Sequence, residues 1–270
     1  MARVVLTIGG SDSGGGAGIQ ADIKTFSALG LHGTCAITAI TAQNTLGVQQ
    51  VFALPAEAVV AQLNSITDDF SIAFAKTGML HRGEIVEAVA CHLRRTAIPF
   101  VLDPVIEAEA GGRLLYPEAV EALREELIPL ARVVVPNIFE ARALSGISVR
   151  DRESALLAAE RIMDLGPQAV IIKGGHLDCT DLLVEGDEIS ALAGQRVAGD
   201  NHGVGCTYSA ALTSHLACGC SLKQAAVSAK RFAEGALSGS MKVGRGVGPV
   251  SQWAGQQAVN TAACLEDGKI

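Results

Sequence analysis

The chain has 270 residues, of which 49% are hydrophobic and 18% charged, and its formal net charge is −7. That composition excludes a disordered chain, and a negative balance with no long basic run argues against nucleic acid or an anionic membrane as the main partner. It leaves room for one large α/β domain with a sizeable core, and for a small phosphorylated ligand, which needs only a local cluster of donors.

The first ten residues, MARVVLTIGG, carry one Arg, a short apolar run and two glycines. They read as a strand over 4–8 rather than a signal peptide. No apolar stretch approaches the ~20 residues of a membrane span. Further strands are expected at 35–40 (CAITAI), 73–78 (AFAKTG), 100–105 (FVLDPV), 132–137 (RVVVPN) and 169–175 (AVIIKGG). Apolar positions at helical spacing predict helices over 56–70, 84–95, 117–130 and 153–166, and over 206–219 and 222–239 after Gly205. Strand and helix in alternation mean βαβ units and a mostly parallel sheet with helices on both faces, and uninterrupted runs such as VVV and VII fit strands buried on both sides. The 177–199 segment differs, with short strands around Gly-Asp, and predicts an antiparallel edge hairpin. No repeat or linker divides the chain, so a single domain over 1–250 with a short C-terminal tail, 251–270, is expected. The cysteines at 35, 91, 179, 206, 218, 220 and 264 make an odd count without framework spacing, which fits a reducing cytoplasm. Cys218-Gly219-Cys220 lacks the companion ligands of a metal site and reads as a packing pair at a helix end.

In sheets of this kind ligands bind beyond the carboxyl ends of the strands, and the residues after each expected strand are glycines or polar. GGSDSGGGAGIQAD (9–22) lacks the Lys of a phosphate-binding GxxxxGK[ST] loop and the downstream acid of a dinucleotide fingerprint. Its glycines instead predict a backbone closing over a small ligand, with Asp12 and Asp22 capping the turn or the helix, or Asp22 facing the ligand. In Thr41-Ala42-Gln43-Asn44-Thr45, placed after a strand, the Gln43 amide could donate to and accept from a heteroaromatic ring. Asp103 and the Asn137–Glu140 stretch put carboxylates where Mg²⁺ is often held, and Lys173 ends an apolar strand within reach of a phosphate. Each also has a plainer reading: a turn residue, a first-turn helix acid, a snorkelling lysine. In Asn201–Leu212, NHGVGCTYSAAL, Gly203-Val204-Gly205 precedes a long Ala-rich helix and forms a good anion cradle, with the Cys206 thiol at its mouth. A Cys–His protease is a poor fit, because no orienting partner accompanies His202 or His215.

Together GSDSGGGAGIQADIKTFSALG, TAITAQNTLGV, KTGML, VLDPV, PNIFEA, IKGGH and HGVGCTYSAAL occur in an order that resembles the hydroxymethylpyrimidine/phosphomethylpyrimidine kinases of thiamine biosynthesis. The similarity runs from residue 4 to about 250 and takes in GRGVGP (244–249). It implies a three-layer α/β/α ribokinase-like fold, a homodimer, and transfer of the ATP γ-phosphoryl to the hydroxymethyl oxygen and then onto the monophosphate. It implies that Gly203, Val204 and Gly205 form the anion hole and that Cys206 stands where related sugar kinases place their catalytic aspartate. Gln43 would hydrogen-bond the pyrimidine, with Gly10, Asp22 and Met79 close by. Asn137 and Glu140 would form the element that organises Mg²⁺ on the ATP side, Asp103 the carboxylate near the metal, and Lys173 a contact to the ATP phosphates. Cys206 reads as the base for the acceptor alcohol, with positioning alone as the alternative. The chain departs from the family in having Val204 for a threonine and Glu107 for an aliphatic residue. A carboxylate at 107 is expected to repel a phosphorylated substrate unless a cation answers it. A pyridoxal kinase, or a catalytically inactive binding protein on the same fold, are the other readings.

Overall fold

The computed structural model describes residues 3–106, 114–175 and 177–266; Glu107 and His176 lie outside the described residues. Nine strands form one sheet in the order β3-β2-β1-β4-β5-β6-β7-β8-β9. They are β1 (Val4–Asp12), β2 (His32–Asn44), β3 (Gly47–Ala53), β4 (Ile72–Thr77), β5 (Phe100–Leu102), β6 (Val133–Val134), β7 (Ala169–Ile172), β8 (Asp181–Glu185) and β9 (Glu188–Leu192). Pairing is parallel from β2 through β7. It is antiparallel where β3 joins β2 and where β8 and β9 close the far edge. The expected edge hairpin at 177–199 is therefore present.

The apolar runs alternate between two cores. Along β6 and β7, Val134, Val170 and Ile172 face one cluster, while Val133, Val135, Ala169 and Ile171 face the other. A period of two in a strand buried on both sides demands this. Helices α2 (Ala56–Thr67), α3 (Gly83–Thr96), α4 (Pro117–Ala122), α5 (Ile138–Ser145) and α6 (Arg152–Met163) cover the first face. Helices α1 (Gly18–Ala28), α7 (Val204–Ala217) and α8 (Leu222–Ser238) cover the second. The result is the three-layer α/β/α arrangement. Among the described residues no helix is long and apolar enough to cross a membrane.

Four elements differ from expectation. The single helix expected over 117–130 is α4 followed by a π turn at Leu123–Leu127 and a 3₁₀ turn at Ile128–Leu130. Pro129 explains the break, since it has no N–H to give and its ring crowds the preceding turn. Strand β2 runs on through Gln43, so Thr41–Asn44 are strand residues paired with β3, and the turn is at Thr45-Leu46. Strand β3 itself has no counterpart among the expected elements, because GVQQVFA mixes polar and apolar residues in an edge position. Beyond residue 250, where a short tail is expected, Gln252–Glu266 forms α9. It lies against α8, with Gly235 beside Ala258 and Gly239 beside Ala254.

Strand β1 is flanked by β2 on one side and β4 on the other. The chain thus reverses its order of winding at β1/β4, which opens a crevice at the carboxyl ends of these strands.

Candidate active site

A cavity of about 810 Å³ fills that crevice, a size that suits a small molecule. Gly10, Asp22, Gln43, Met79, Asp103, Asn137, Glu140, Lys173, Gly203, Val204, Gly205 and Cys206 all line it. Among the described residues, those named for the cradle, the ring, the nucleotide side and the metal are thus brought to one place; Glu107 lies outside the described residues.

The charged wall comes from the ends of β5, β6 and β7. Lys173 Nζ donates to Asp103 Oδ1 at 3.0 Å and lies 3.9 Å from Glu140 Oε2. The Ser209 hydroxyl, on α7, donates to Asp103 Oδ2 at 2.8 Å. Burial pushes the Glu140 carboxyl up to about 7, against the nearby Lys173 ammonium, while Asp103 adds to the rise. Burial alone would lower the Lys173 ammonium, but Asp103 and Glu140 outweigh it and hold its pKa well above the usual lysine value. The Asn137–Glu140 spacing is also a capping box for α5. Asn137 Oδ1 accepts from the N–H groups of Phe139 and Glu140 at 2.9 Å, and Glu140 Oε2 accepts from the Asn137 N–H at 2.8 Å. The side chain of Asn137 is thereby committed to the helix start.

The floor is an ion pair. Lys76 and Asp22 are each 1% exposed. Lys76 Nζ donates to Asp22 Oδ1 at 2.6 Å, and the Thr7 hydroxyl donates to Asp22 Oδ2 at 2.6 Å. Asp22 therefore lines the cavity with both oxygens already engaged and caps nothing. The capping belongs to Asp12, which accepts from the N–H groups of Gly14, Gly16 and Ala17 at 2.8, 3.0 and 2.8 Å. These bonds hold the glycine loop that leads into α1.

Cys206 stands on the first turn of α7, whose N-cap is Gly203 with φ of +85°. Burial pushes its thiol up to about 11; the Lys76 ammonium and the Gly18 N–H oppose this, and Asp22 and Asp103 add to it. A group at that value is about one part in 10⁴ thiolate at pH 7. The resting site thus works against the base role expected of Cys206. Gln43 on β2 and Met79 also line the cavity; Met79 is 7% exposed and packs its thioether on Gly10.

Reasoning from the sequence missed Lys76 and the His202–Asp12 contact, in which His202 Nε2 lies 2.9 Å from Asp12 Oδ2. The lysine inside the apolar run AFAKTG was the available signal: a cation in a buried strand needs an anion, and Asp22 on the apolar face of α1 is that anion. Among the described residues no three metal-ligating side chains converge. A carboxylate pair such as Asp103 and Glu140 is nevertheless a donor set of the kind Mg²⁺ takes, with other oxygens completing its shell.

Comparison with known proteins adds an independent line. A family described as phosphomethylpyrimidine kinase matches residues 12–251. The hydroxymethylpyrimidine/phosphomethylpyrimidine kinase of Haemophilus influenzae is 48% identical over 263 residues, covering 93% of this chain and 97% of its own length. Among solved structures, the pyridoxal kinase of Bacillus subtilis in its ADP complex is 39% identical with a TM-score of 0.87, covering 94% of this chain and 98% of that one. The phosphomethylpyrimidine kinase of Clostridium difficile is 41% identical with a TM-score of 0.76, covering 84% and 96%.

Proposed function

The chain belongs to the phosphomethylpyrimidine kinase family, and from that membership we propose how the cavity performs two successive phosphoryl transfers. The enzyme is a phosphotransferase of thiamine biosynthesis. It phosphorylates 4-amino-5-hydroxymethyl-2-methylpyrimidine and then the monophosphate, giving the diphosphate. The observation that carries the proposal is the meeting of three parts in one cavity: the Gly203-Val204-Gly205 cradle, the Lys173 ammonium and the Gln43 amide.

ATP is the donor, and the ADP complex of the Bacillus subtilis relative supports it. In the first step a bond forms between the hydroxymethyl oxygen and the γ-phosphorus as the bond to the β,γ-bridging oxygen breaks, and ADP leaves. In the second step an oxygen of the monophosphate is the acceptor. The Gly203-Val204-Gly205 turn at the positive end of α7 holds the migrating group, with the Gly203 and Gly205 N–H groups as donors; the Val204 N–H donates to the Asn201 carbonyl oxygen at 3.1 Å and shapes the turn. A valine at 204 serves as well as a threonine there, because the donors are main-chain. Lys173 faces the phosphates, with Asn137 and Glu140 shaping the same wall. Asp103 and Glu140 would hold Mg²⁺, which supplies charge neutralisation on the phosphates. Gln43 reads the ring, with Gly10 and Met79 as its apolar bed and Asp22 in the floor.

Cys206 contacts the acceptor oxygen as a neutral thiol. Phosphoryl transfer rests on positioning and electrostatics more than on deprotonation, and an arriving phosphate only raises the thiol further. Cys206→Ser is therefore expected to keep kcat within about tenfold of the parent, with the alkaline side of the pH–rate profile unchanged. A thiolate base near 11 would instead make the rate climb with pH toward that value and would make the serine variant nearly inactive.

A homodimer built on the β2–β3 edge fits the exposed apolar pair Ile40 and Phe52, which face each other across the two strands and are 45% and 56% exposed. The described cysteines are all unpaired thiols, in keeping with a cytoplasmic location.

The likeness to pyridoxal kinase supports a second acceptor, pyridoxal, at the same cradle. Incubation with Mg-ATP and, separately, hydroxymethylpyrimidine, its monophosphate and pyridoxal, followed by mass spectrometry, tests both readings. Turnover of the first two is the expected result. Turnover of pyridoxal alone would move the enzyme to vitamin B6 chemistry.

A further inference from the structure

The surroundings of the Gln43 amide contain a conflict of donors and acceptors. Thr41 Oγ1 lies 3.1 Å from the Ser11 carbonyl oxygen and 3.1 Å from Gln43 Oε1, yet a hydroxyl has one proton to give. Gln43 Nε2 lies 3.4 Å from His202 Nε2, the same ring nitrogen that is 2.9 Å from Asp12 Oδ2. Burial favours a neutral Asp12, but the bond from His202 and the N–H groups of Ala17 and Gly14 outweigh it and hold this carboxyl below its ordinary value. Asp12 is thus a carboxylate at neutral pH and can only accept. His202 Nε2 must therefore carry a proton, whatever the total charge on the ring. That nitrogen has no lone pair left, so a Gln43 N–H pointing at it would set one donor against another.

Reversing the amide removes both conflicts, and hydrogen-bond accounting alone distinguishes the two ends of an amide. The Gln43 NH₂ then donates to Thr41 Oγ1, the Thr41 hydroxyl donates to the Ser11 carbonyl, and His202 Nε2–H, shared with Asp12, meets the Gln43 carbonyl oxygen. Each of these protons then has an acceptor, and the second Gln43 N–H is left for the ring. We propose that His202, anchored on Asp12, and Thr41 lock the Gln43 amide in this one orientation, and that the lock lets the site choose between rings of opposite hydrogen-bonding polarity.

The inference rests on the reading of Gln43 as the group that contacts the ring. A freely turning amide is an ambiguous reader. It pairs with an amino group beside a ring nitrogen, and after half a turn it pairs equally well with a carbonyl beside a ring N–H. The hydroxymethyl arm must reach the Gly203–Gly205 cradle, which fixes how the ring enters. With the ring's direction set, only a fixed amide tells the two polarities apart, because the wrong ring then leaves buried donors facing donors. His202 and Thr41 are positioning residues in this scheme and need not touch the substrate.

The test compares kcat/KM for 4-amino-5-hydroxymethyl-2-methylpyrimidine with that for its deaminated 4-oxo analogue. The parent enzyme is expected to prefer the amino ring by at least ~10². In Thr41→Val and His202→Leu that ratio is expected to fall by about tenfold or more, roughly the worth of a lost hydrogen bond to a buried partner. His202→Gln, which keeps an N–H for Asp12, is expected to restore most of it. Because His202 adjoins the cradle, its replacement also slows both substrates, but an equal loss cancels in the ratio. Thermal unfolding of each variant checks folding, and Thr41→Val, near-isosteric and on β2, covers the case of a misfolded His202→Leu. A ratio that stays at the parent value in either Thr41→Val or His202→Leu, while Gln43→Leu abolishes it, overturns the lock. A ratio unchanged in Gln43→Leu overturns the ring-reading role itself, and the lock with it.

Discussion

Gly203→Ala is expected to lower kcat/KM by at least ~10², about what a displacement of roughly 1 Å in a positioned site costs. Two effects combine at this position. Its φ of +85° is left-handed, which costs a residue bearing a Cβ about 1–2 kcal/mol. A Cβ there would also sit 1.9 Å from the Gly16 carbonyl oxygen and 3.3 Å from the Ala17 Cα. Those atoms cannot swing aside like a side chain, because Asp12 holds the N–H groups of Gly16 and Ala17. The glycine loop and the anion cradle must then move apart, and the donors no longer converge on the phosphoryl group. Gly219→Ala separates the two effects. Its φ is +88° and nothing lies within 4 Å of the position a Cβ would take. That variant is expected to lose the same ~1–2 kcal/mol of stability and to keep its kcat/KM. Steady-state kinetics beside thermal unfolding decide the matter. A Gly203→Ala enzyme as active as Gly219→Ala would sink the cradle assignment.

Lys173→Met should lower kcat by about 10²–10³, the usual range for removing one group that stabilises developing charge. The longer consequence concerns stability. Lys173 is the cation that meets the buried pair Asp103 and Glu140, and removing one partner of a buried ion pair costs about 3–5 kcal/mol. The loss depends on pH with a definite sign. The folded-state pKa of Glu140 is already raised to about 7 from 4.5 by burial. Without the ammonium it rises further, so the protonated acid becomes the favoured folded form. A group with a raised folded pKa contributes its stability below the unfolded value and loses it as pH climbs through the folded value. The deficit of the variant relative to the parent is therefore expected to be largest above pH 7 and to shrink toward pH 5. Denaturant unfolding of both proteins across that range, without nucleotide or metal, provides the measurement. A deficit that stays constant with pH would mean that Lys173 does not neutralise these carboxylates.

Much of the architecture was legible along the chain. Uninterrupted apolar runs such as VVV and VII mark strands covered on both faces, and the Gly-Asp turn marks the edge hairpin. The helical spacing between the strands leaves a parallel sheet as the only economical arrangement. Many of the candidate residues were visible too, since glycine loops, a strand-ending lysine and rim carboxylates are local chemical facts, whereas Gly10 and Met79 entered only through the family resemblance. Strand β3 was not legible, because GVQQVFA becomes strand only by pairing with β2, and edge position overrides its weak pattern. The break after α4 could have been read from Pro129 alone.

What the sequence by itself determined is the set of groups, their order, and the elements that carry them. Which groups meet, and in what charge state, was decided by the tertiary structure. Lys76 finds Asp22 across 54 residues of chain, Lys173 finds Asp103 across 70, and His202 finds Asp12 across 190. The charge of a buried group depends on how much water is excluded and which charges stand nearby, and neither is a property of the residue or its neighbours in the chain. That is why Cys206 reads as a base from its place at a helix start, while burial in the folded chain raises its thiol to about 11. It is also why the amide of Gln43, ambiguous in the sequence, acquires one orientation only when Asp12, His202 and Thr41 surround it.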